Sequence, residues 1–270
     1  MADGMGATEP EPQYRAGRGE PLLLLHGLLL TWQSWGGVLD ELSGDHAVLA
    51  PTLPGHWGGP VARRPATFTL LADHLERMLD ETGWQTAHLV GNSLGGWLAL
   101  ELAARGRART VTAIAPGGMW NSETRTAGRL LRKYRAFAPV IEVGAGTTRT
   151  MTRSLVLPLL SYHPAAVPYR LATAVAAAPA HCRIVDDLAE DPVLATGFGR
   201  FADISTPVTF LYCEHDRVLP PRLHTAPPQA PTMHSRTLPG VGHVPMLEAP
   251  HLVAKEIRAS IAQVGPITTT

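Results

Sequence analysis

Five short apolar runs, each closed by turn-forming residues, set the frame within which this 270-residue chain can fold. Residues 22–25 end in His26-Gly27, 47–50 in Pro-Thr-Leu-Pro-Gly, and 88–90 in Gly91; 111–115 end in Pro-Gly-Gly and 208–213 in Glu-His-Asp. Runs of this length without polar alternation suit strands buried on both faces, as in a parallel sheet. Helical patterns lie between them. Residues 70–79 place Leu71, Leu75, Met78 and Leu79 on one face, and 94–104 are apolar nearly all round. Residues 251–261 carry Val253, Ile257 and Ile261 at four-residue spacing. The alternation predicts an α/β fold with an open, mostly parallel, doubly wound sheet and helices on both faces. In such sheets function collects at the loops beyond the carboxyl ends of the strands.

Composition supports a packed domain and narrows the partners. Hydrophobic residues make up 45% and charged residues 17%, so a sizeable core can form. Lys+Arg and Asp+Glu both number 23, which leaves no net field to draw nucleic acid or an anionic membrane. The expected partner is a small-molecule substrate. Cys182 and Cys213 provide neither a disulfide framework nor metal-ligand spacing, so no metal and no cofactor are expected. The first twenty residues hold acidic side chains and no apolar stretch, unlike a secretory signal. No run approaches the roughly 20 apolar residues of a membrane span. A cytoplasmic protein is expected.

One stretch breaks the rhythm. From 119 to 203 the sequence is helical or loop-like, cut by six prolines from Pro139 to Pro192, and shows no convincing strand. It reads as a helical cap inserted into a core of 13–118 and 204–264; the alternative is a packing appendage. Residues 1–12 and 265–270 read as disordered tails. The basic group Arg129, Arg132, Lys133 and Arg135 has the spacing of a solvated helix face.

Gly91-Asn92-Ser93-Leu94-Gly95 matches G-x-S-x-G, a pattern expected about 0.08 times by chance in a chain of this composition. Its setting raises its meaning. An apolar run precedes it and a helical pattern follows it, so the serine sits on a strand–turn–helix corner. Glycines there relieve collisions, and the helix start directs positive partial charge at a developing oxyanion. The competing role for Ser93 is a plain helix cap.

A serine hydroxyl needs a base, and the base needs a carboxylate to fix its tautomer. His243, in Pro239-Gly-Val-Gly-His-Val-Pro, occupies a loop before the last helix. Asp216 stands just after the 208–213 run, with Glu214 and Asp203 as rival acids. The eight histidines 46, 74, 88, 163, 181, 224, 234 and 251 have no motif context. Candidate oxyanion donors are the backbone N–H groups of Leu94 and, after His26-Gly27, Leu28.

These residues resemble the α/β-hydrolase fold superfamily from about Gln13 to Val264. The matching pieces are PLLLLHG (21–27), LAPTLPGH (49–56), VGNSLGG (90–96), LYCEHDRVLP (211–220) and GVGHVPMLEAP (240–250). The resemblance implies Ser93 as nucleophile, Asp216 as acid, His243 as base, Leu28 and Leu94 as oxyanion donors, and 119–203 as the cap. Thr52 and Trp57 depart from the usual D-x-P-G-H-G loop, which bears on local structure and pocket shape. The epoxide hydrolase and haloalkane dehalogenase branches use an aspartate nucleophile, so a serine argues against both reactions. What remains is a serine hydrolase acting on an ester, thioester or lactone, with Leu28, Leu29, Leu30 and Trp32 suggesting an apolar pocket. The same triad also serves C–C bond hydrolases, cofactor-free haloperoxidases and hydroxynitrile lyases, with Arg149, Arg153 and Arg170 as possible carboxylate clamps. A low-turnover ligand receptor is the reading from another class.

Overall fold

A computed structural model describes residues 11–120 and 149–265. The basic group at 129–135 and, of the tails 1–12 and 265–270, residues 1–10 and 266–270 lie outside the described residues. Seven strands form one sheet: β1 (Gln13–Ala16), β2 (Glu20–Leu25), β3 (His46–Pro51), β4 (Ala87–Asn92), β5 (Ala108–Ile114), β6 (Val208–Cys213) and β7 (Met233–Leu238). Their order is β1-β3-β2-β4-β5-β6-β7. Only β1 runs antiparallel to its neighbour, β3; the other pairs are parallel. The described helices are α1 (Gly36–Leu42), α2 (Phe68–Thr82), α3 (Leu94–Ala104), α4 (Arg149–Leu160), α5 (Tyr169–Ala177), α6 (Val185–Glu190), α7 (Pro192–Thr196) and α8 (Pro250–Ile261).

The unbroken leucines of β2 follow from burial on both faces. Leu23 and Leu25 pack with Leu71, Leu75 and Leu98 of α2 and α3. Leu22 and Leu24 pack with Leu39, Leu42, Val253 and Ile257 of α1 and α8 on the other side. Each of the four side chains leaves water completely, worth about 1.5–3 kcal/mol apiece. Helix α2 outruns its apolar stripe because its ends are capped. Thr67 Oγ1 accepts from Leu70 N–H at 3.2 Å, and Gly83 takes φ 77° so that Trp84 N–H reaches Leu79 O at 2.8 Å.

Chain order reverses at β2: β3 lies on one side of it and β4 on the other. The crevice beyond the carboxyl ends of β2 and β4 is therefore the topological switch point, where ligands bind in open α/β sheets. Between β5 and β6, the described residues 149–203 contain helices and loops and no strand.

Two elements are weaker in sequence than in space. β1 is a short edge strand, and the chain is pinned just before it: Trp32 Nε1 donates to Glu11 O at 2.7 Å and Thr52 N–H to Pro12 O at 2.8 Å. β7 is the opposite edge, with His234, Ser235, Arg236 and Thr237 all exposed, so it carries no apolar run. Among the described residues no helix is long and apolar enough to cross a membrane.

Candidate active site

Ser93 stands between β4 and α3 with φ 54° and ψ −114°. A non-glycine residue in this region carries strain of about 1–3 kcal/mol, which its surroundings must over-determine. They do so through backbone: Ser93 N–H donates to Ile114 O at 3.0 Å, and Gly117 N–H donates to Ser93 O at 2.8 Å. Close approach explains the flanking glycines. A Cβ on Gly91 would lie 2.1 Å from Gly95 O, and one on Gly95 would lie 2.1 Å from Leu25 O. Ser93 is half-buried while Asn92 and Leu94 are buried, so the corner lifts one side chain toward solvent.

Asp216 lies beyond the end of β6, where its carboxylate accepts three hydrogen bonds. Oδ1 takes Val218 N–H at 2.8 Å and Leu219 N–H at 2.7 Å, and Oδ2 takes His243 Nδ1 at 2.7 Å. Both side chains are at least 95% removed from water. Burial alone would raise the Asp216 carboxyl. The facing imidazole, its hydrogen bond and the two backbone donors outweigh that and hold it below its usual value. A carboxylate on Nδ1 fixes the proton there and leaves Nε2 as the acceptor of the His243 ring.

The rival acids go elsewhere. Glu214 accepts from Gly240 N–H at 2.8 Å, and Asp203 pairs with Arg200 at 2.9 Å. Asn92, adjacent to Ser93, ties the two halves together: its Nδ2 donates to His243 O at 2.9 Å and to Ile114 O at 3.2 Å.

His26 braces the loop after β2. Its Nε2 accepts from Leu53 N–H at 2.9 Å, so Nδ1 carries the proton and donates to Gly27 O at 2.8 Å. Burial, with His56 only 4.9 Å away, lowers its pKa well below the ordinary value and keeps it neutral. Gly27 brings this loop against the serine, since a Cβ there would lie 3.2 Å from Ser93 Cβ. Leu28, next in the loop, is partly exposed, and Leu29 follows with φ 68°. Leu94 opens α3, so its N–H is among those that a helix leaves without an intrahelical acceptor.

The expected pocket residues separate. Leu28 packs with the cluster that includes Leu94, Met119, Trp120 and Leu219. Leu30 is core. Trp32 packs on Tyr14 of β1, ring centroids 5.7 Å apart. Trp57 stacks on His181 at 4.9 Å, which gives that departure from the usual loop a packing partner. Arg170 is exposed, and the side chains of Arg149 and Arg153 lie outside the described residues. Asn92 lies inside the serine pentapeptide and Glu248 lies five residues past His243, and neither residue type announces in sequence the backbone groups it holds.

The model of the family described as "Alpha/beta hydrolase family" matches residues 22–256. The chain belongs to the alpha/beta hydrolase family. This α/β-hydrolase is 38% identical over 205 residues to "Epoxide hydrolase EphH" of Mycobacterium tuberculosis, spanning 73% of this chain and 96% of that protein. Among solved structures it is similar to a thermophilic esterase from Thermogutta terrifontis, with TM-score 0.69 and 22% identity over 93% of this chain and 92% of that one. It is also similar to naproxen esterase from Bacillus subtilis, with TM-score 0.72 and 18% identity over 92% of this chain and 86% of that one. At these identities the structural likenesses speak for the fold. The family makes this chain an enzyme of hydrolytic type.

Proposed function

We propose that this α/β-hydrolase cleaves an ester, thioester or lactone of a small, largely apolar substrate through an acyl-enzyme on Ser93. His243 Nε2 takes the Ser93 hydroxyl proton as Oγ attacks the carbonyl carbon, and the carbonyl oxygen becomes an oxyanion facing the Leu28 and Leu94 N–H groups. Collapse expels the alcohol or thiol, which receives the proton from His243. Water deprotonated by His243 then attacks the acyl carbon, and Ser93 leaves with its proton restored.

The observation that carries this reading is the Asp216–His243 pair: a buried carboxylate with both oxygens engaged, hydrogen-bonded to the ring of a histidine whose backbone carbonyl is held by the neighbour of a strained serine. Leu28, Val218 and Leu194 are partly buried apolar side chains packed on the core cluster that contains Leu94, which supports an apolar substrate. The M. tuberculosis relative is named for epoxide hydrolysis. Opening an epoxide with a serine oxygen would leave an ether, which has no carbonyl for water to attack. Serine chemistry therefore favours the acyl route for this chain.

A panel of p-nitrophenyl esters of increasing acyl length, run beside an aryl epoxide, tests the assignment. Ester hydrolysis that disappears in Ser93→Ala is expected. Epoxide opening without ester hydrolysis would overturn it.

A further inference from the structure

We infer that Glu248 is a positioning residue for His243, through which residues 158–163, the end of α4 and the turn after it, become part of the catalytic machinery. The inference rests on the serine-triad reading above. Glu248 sits in the short 3-10 turn region after His243, and its carboxylate accepts four hydrogen bonds. Oε1 takes Gly242 N–H at 2.7 Å and Tyr162 N–H at 3.0 Å. Oε2 takes Ser161 Oγ at 2.8 Å and His163 N–H. Four donors converging on one carboxylate fill its acceptor sites. Gly242 is the residue immediately before His243. Its hydrogen bond therefore fixes the base loop at the point where a shift would carry the imidazole away from Asp216.

The same segment grips both partners of the pair. On the base side, Val244 N–H donates to Leu160 O at 2.8 Å. A Cβ on Gly242 would lie 2.8 Å from Tyr162 N, so the two backbones touch there and glycine is required. On the acid side, Arg217, next to Asp216, donates to Pro158 O at 2.7 Å. Tyr162 stacks on His215 with ring centroids 3.7 Å apart. Residues 158–163 thus run as a strap across the acid and base loops, and Glu248 is the carboxylate that fastens it. Cap packing and imidazole alignment are one hydrogen-bonded unit.

The experiment compares Glu248→Ala and Glu248→Gln in the full chain by ester kinetics and by proton NMR of the far-downfield His243 Nδ1–H resonance, with folding checked by circular dichroism. The alanine variant is expected to lose about tenfold to a hundredfold in kcat, the scale of a misplacement near 1 Å, with KM changed less than about twofold. Its downfield resonance is expected to move upfield or broaden. Glutamine is expected to restore part of both: its carbonyl can still receive Gly242 and Tyr162 N–H and its amide can donate to Ser161 Oγ, while the exposed His163 N–H loses its acceptor. A folded alanine variant with wild-type resonance and kcat would overturn the inference, as would glutamine no better than alanine. The resonance does not depend on turnover. Failure of the ester assignment would therefore show in the wild-type protein as lack of hydrolysis, while the Glu248 effect on the resonance persists.

Discussion

Asn92 Nδ2 donates at 2.9 Å to the backbone carbonyl of His243, so the residue preceding the candidate nucleophile holds the candidate base. The same amide donates to Ile114 O, and the buried group has two carbonyls to satisfy and no freedom to flip. Asn92 thus ties the Ser93 corner to the His243 loop through one hydrogen bond.

Asn92→Ala leaves the His243 carbonyl without its donor in a buried site, while Ile114 O keeps the Ser93 N–H, at a cost of about 1–3 kcal/mol. Asn92→Asp is worse, because carboxylate oxygens replace the donors facing Ile114 O and His243 O. Urea unfolding should rank wild type above Asn92→Ala above Asn92→Asp, with kcat in the same order. Equal stability of the two variants would contradict the donor role.

Asp216→Asn probes the tautomer. Val218 and Leu219 N–H groups demand an acceptor oxygen, so the substituted amide must turn its NH₂ toward His243 Nδ1. The imidazole proton then moves to Nε2, where it blocks acceptance from Ser93. A loss of about 10³–10⁴ in kcat is expected with the fold intact. A loss under tenfold would remove Asp216 from the mechanism.

Much of this was legible from the sequence, for physical reasons. The central strands announce themselves because both faces are buried, as Leu22 to Leu25 show. The serine corner is legible because close backbone approach at Gly91 and Gly95 admits no side chain. Strand β7 is faint because four of its six side chains face water. Asn92 and Glu248 act on backbone N–H and C=O groups that leave no pattern in the chain, and only folding shows what they hold. The contact of Trp32 with Tyr14 is likewise invisible in the sequence, since it joins residues eighteen positions apart.

Gly95→Ala places a methyl group 2.1 Å from Leu25 O and 2.7 Å from His26 O, both rigid backbone. The elbow must open, and destabilisation of several kcal/mol is expected. Gly36→Ala, where nothing lies within 4 Å of the added carbon, should stay within about 1 kcal/mol of wild type. Chemical denaturation of both variants checks the contrast.

Burial lowers the pKa of His56 from 6.5 to about 4, and His26 is lowered as well. The unfolded chain therefore takes up protons below about pH 6.5 that the native state refuses. Stability is full above that pH and falls as pH drops toward 4, by up to about 1.4 kcal/mol per pH unit for each histidine. In urea unfolding at pH 7, 6 and 5, His56→Gln should flatten the decline by close to one proton. An unchanged slope would mean that His56 titrates normally.

The central claim is a covalent acyl-enzyme on Ser93, and rapid-quench intact-mass and peptide mass spectrometry with p-nitrophenyl acetate tests it most directly. The expected result is an acetyl adduct on the Ser93 peptide that forms with a burst of p-nitrophenolate, decays on turnover, and is absent from Ser93→Ala. Hydrolysis at wild-type rate in Ser93→Ala, or an adduct on another residue, would contradict it.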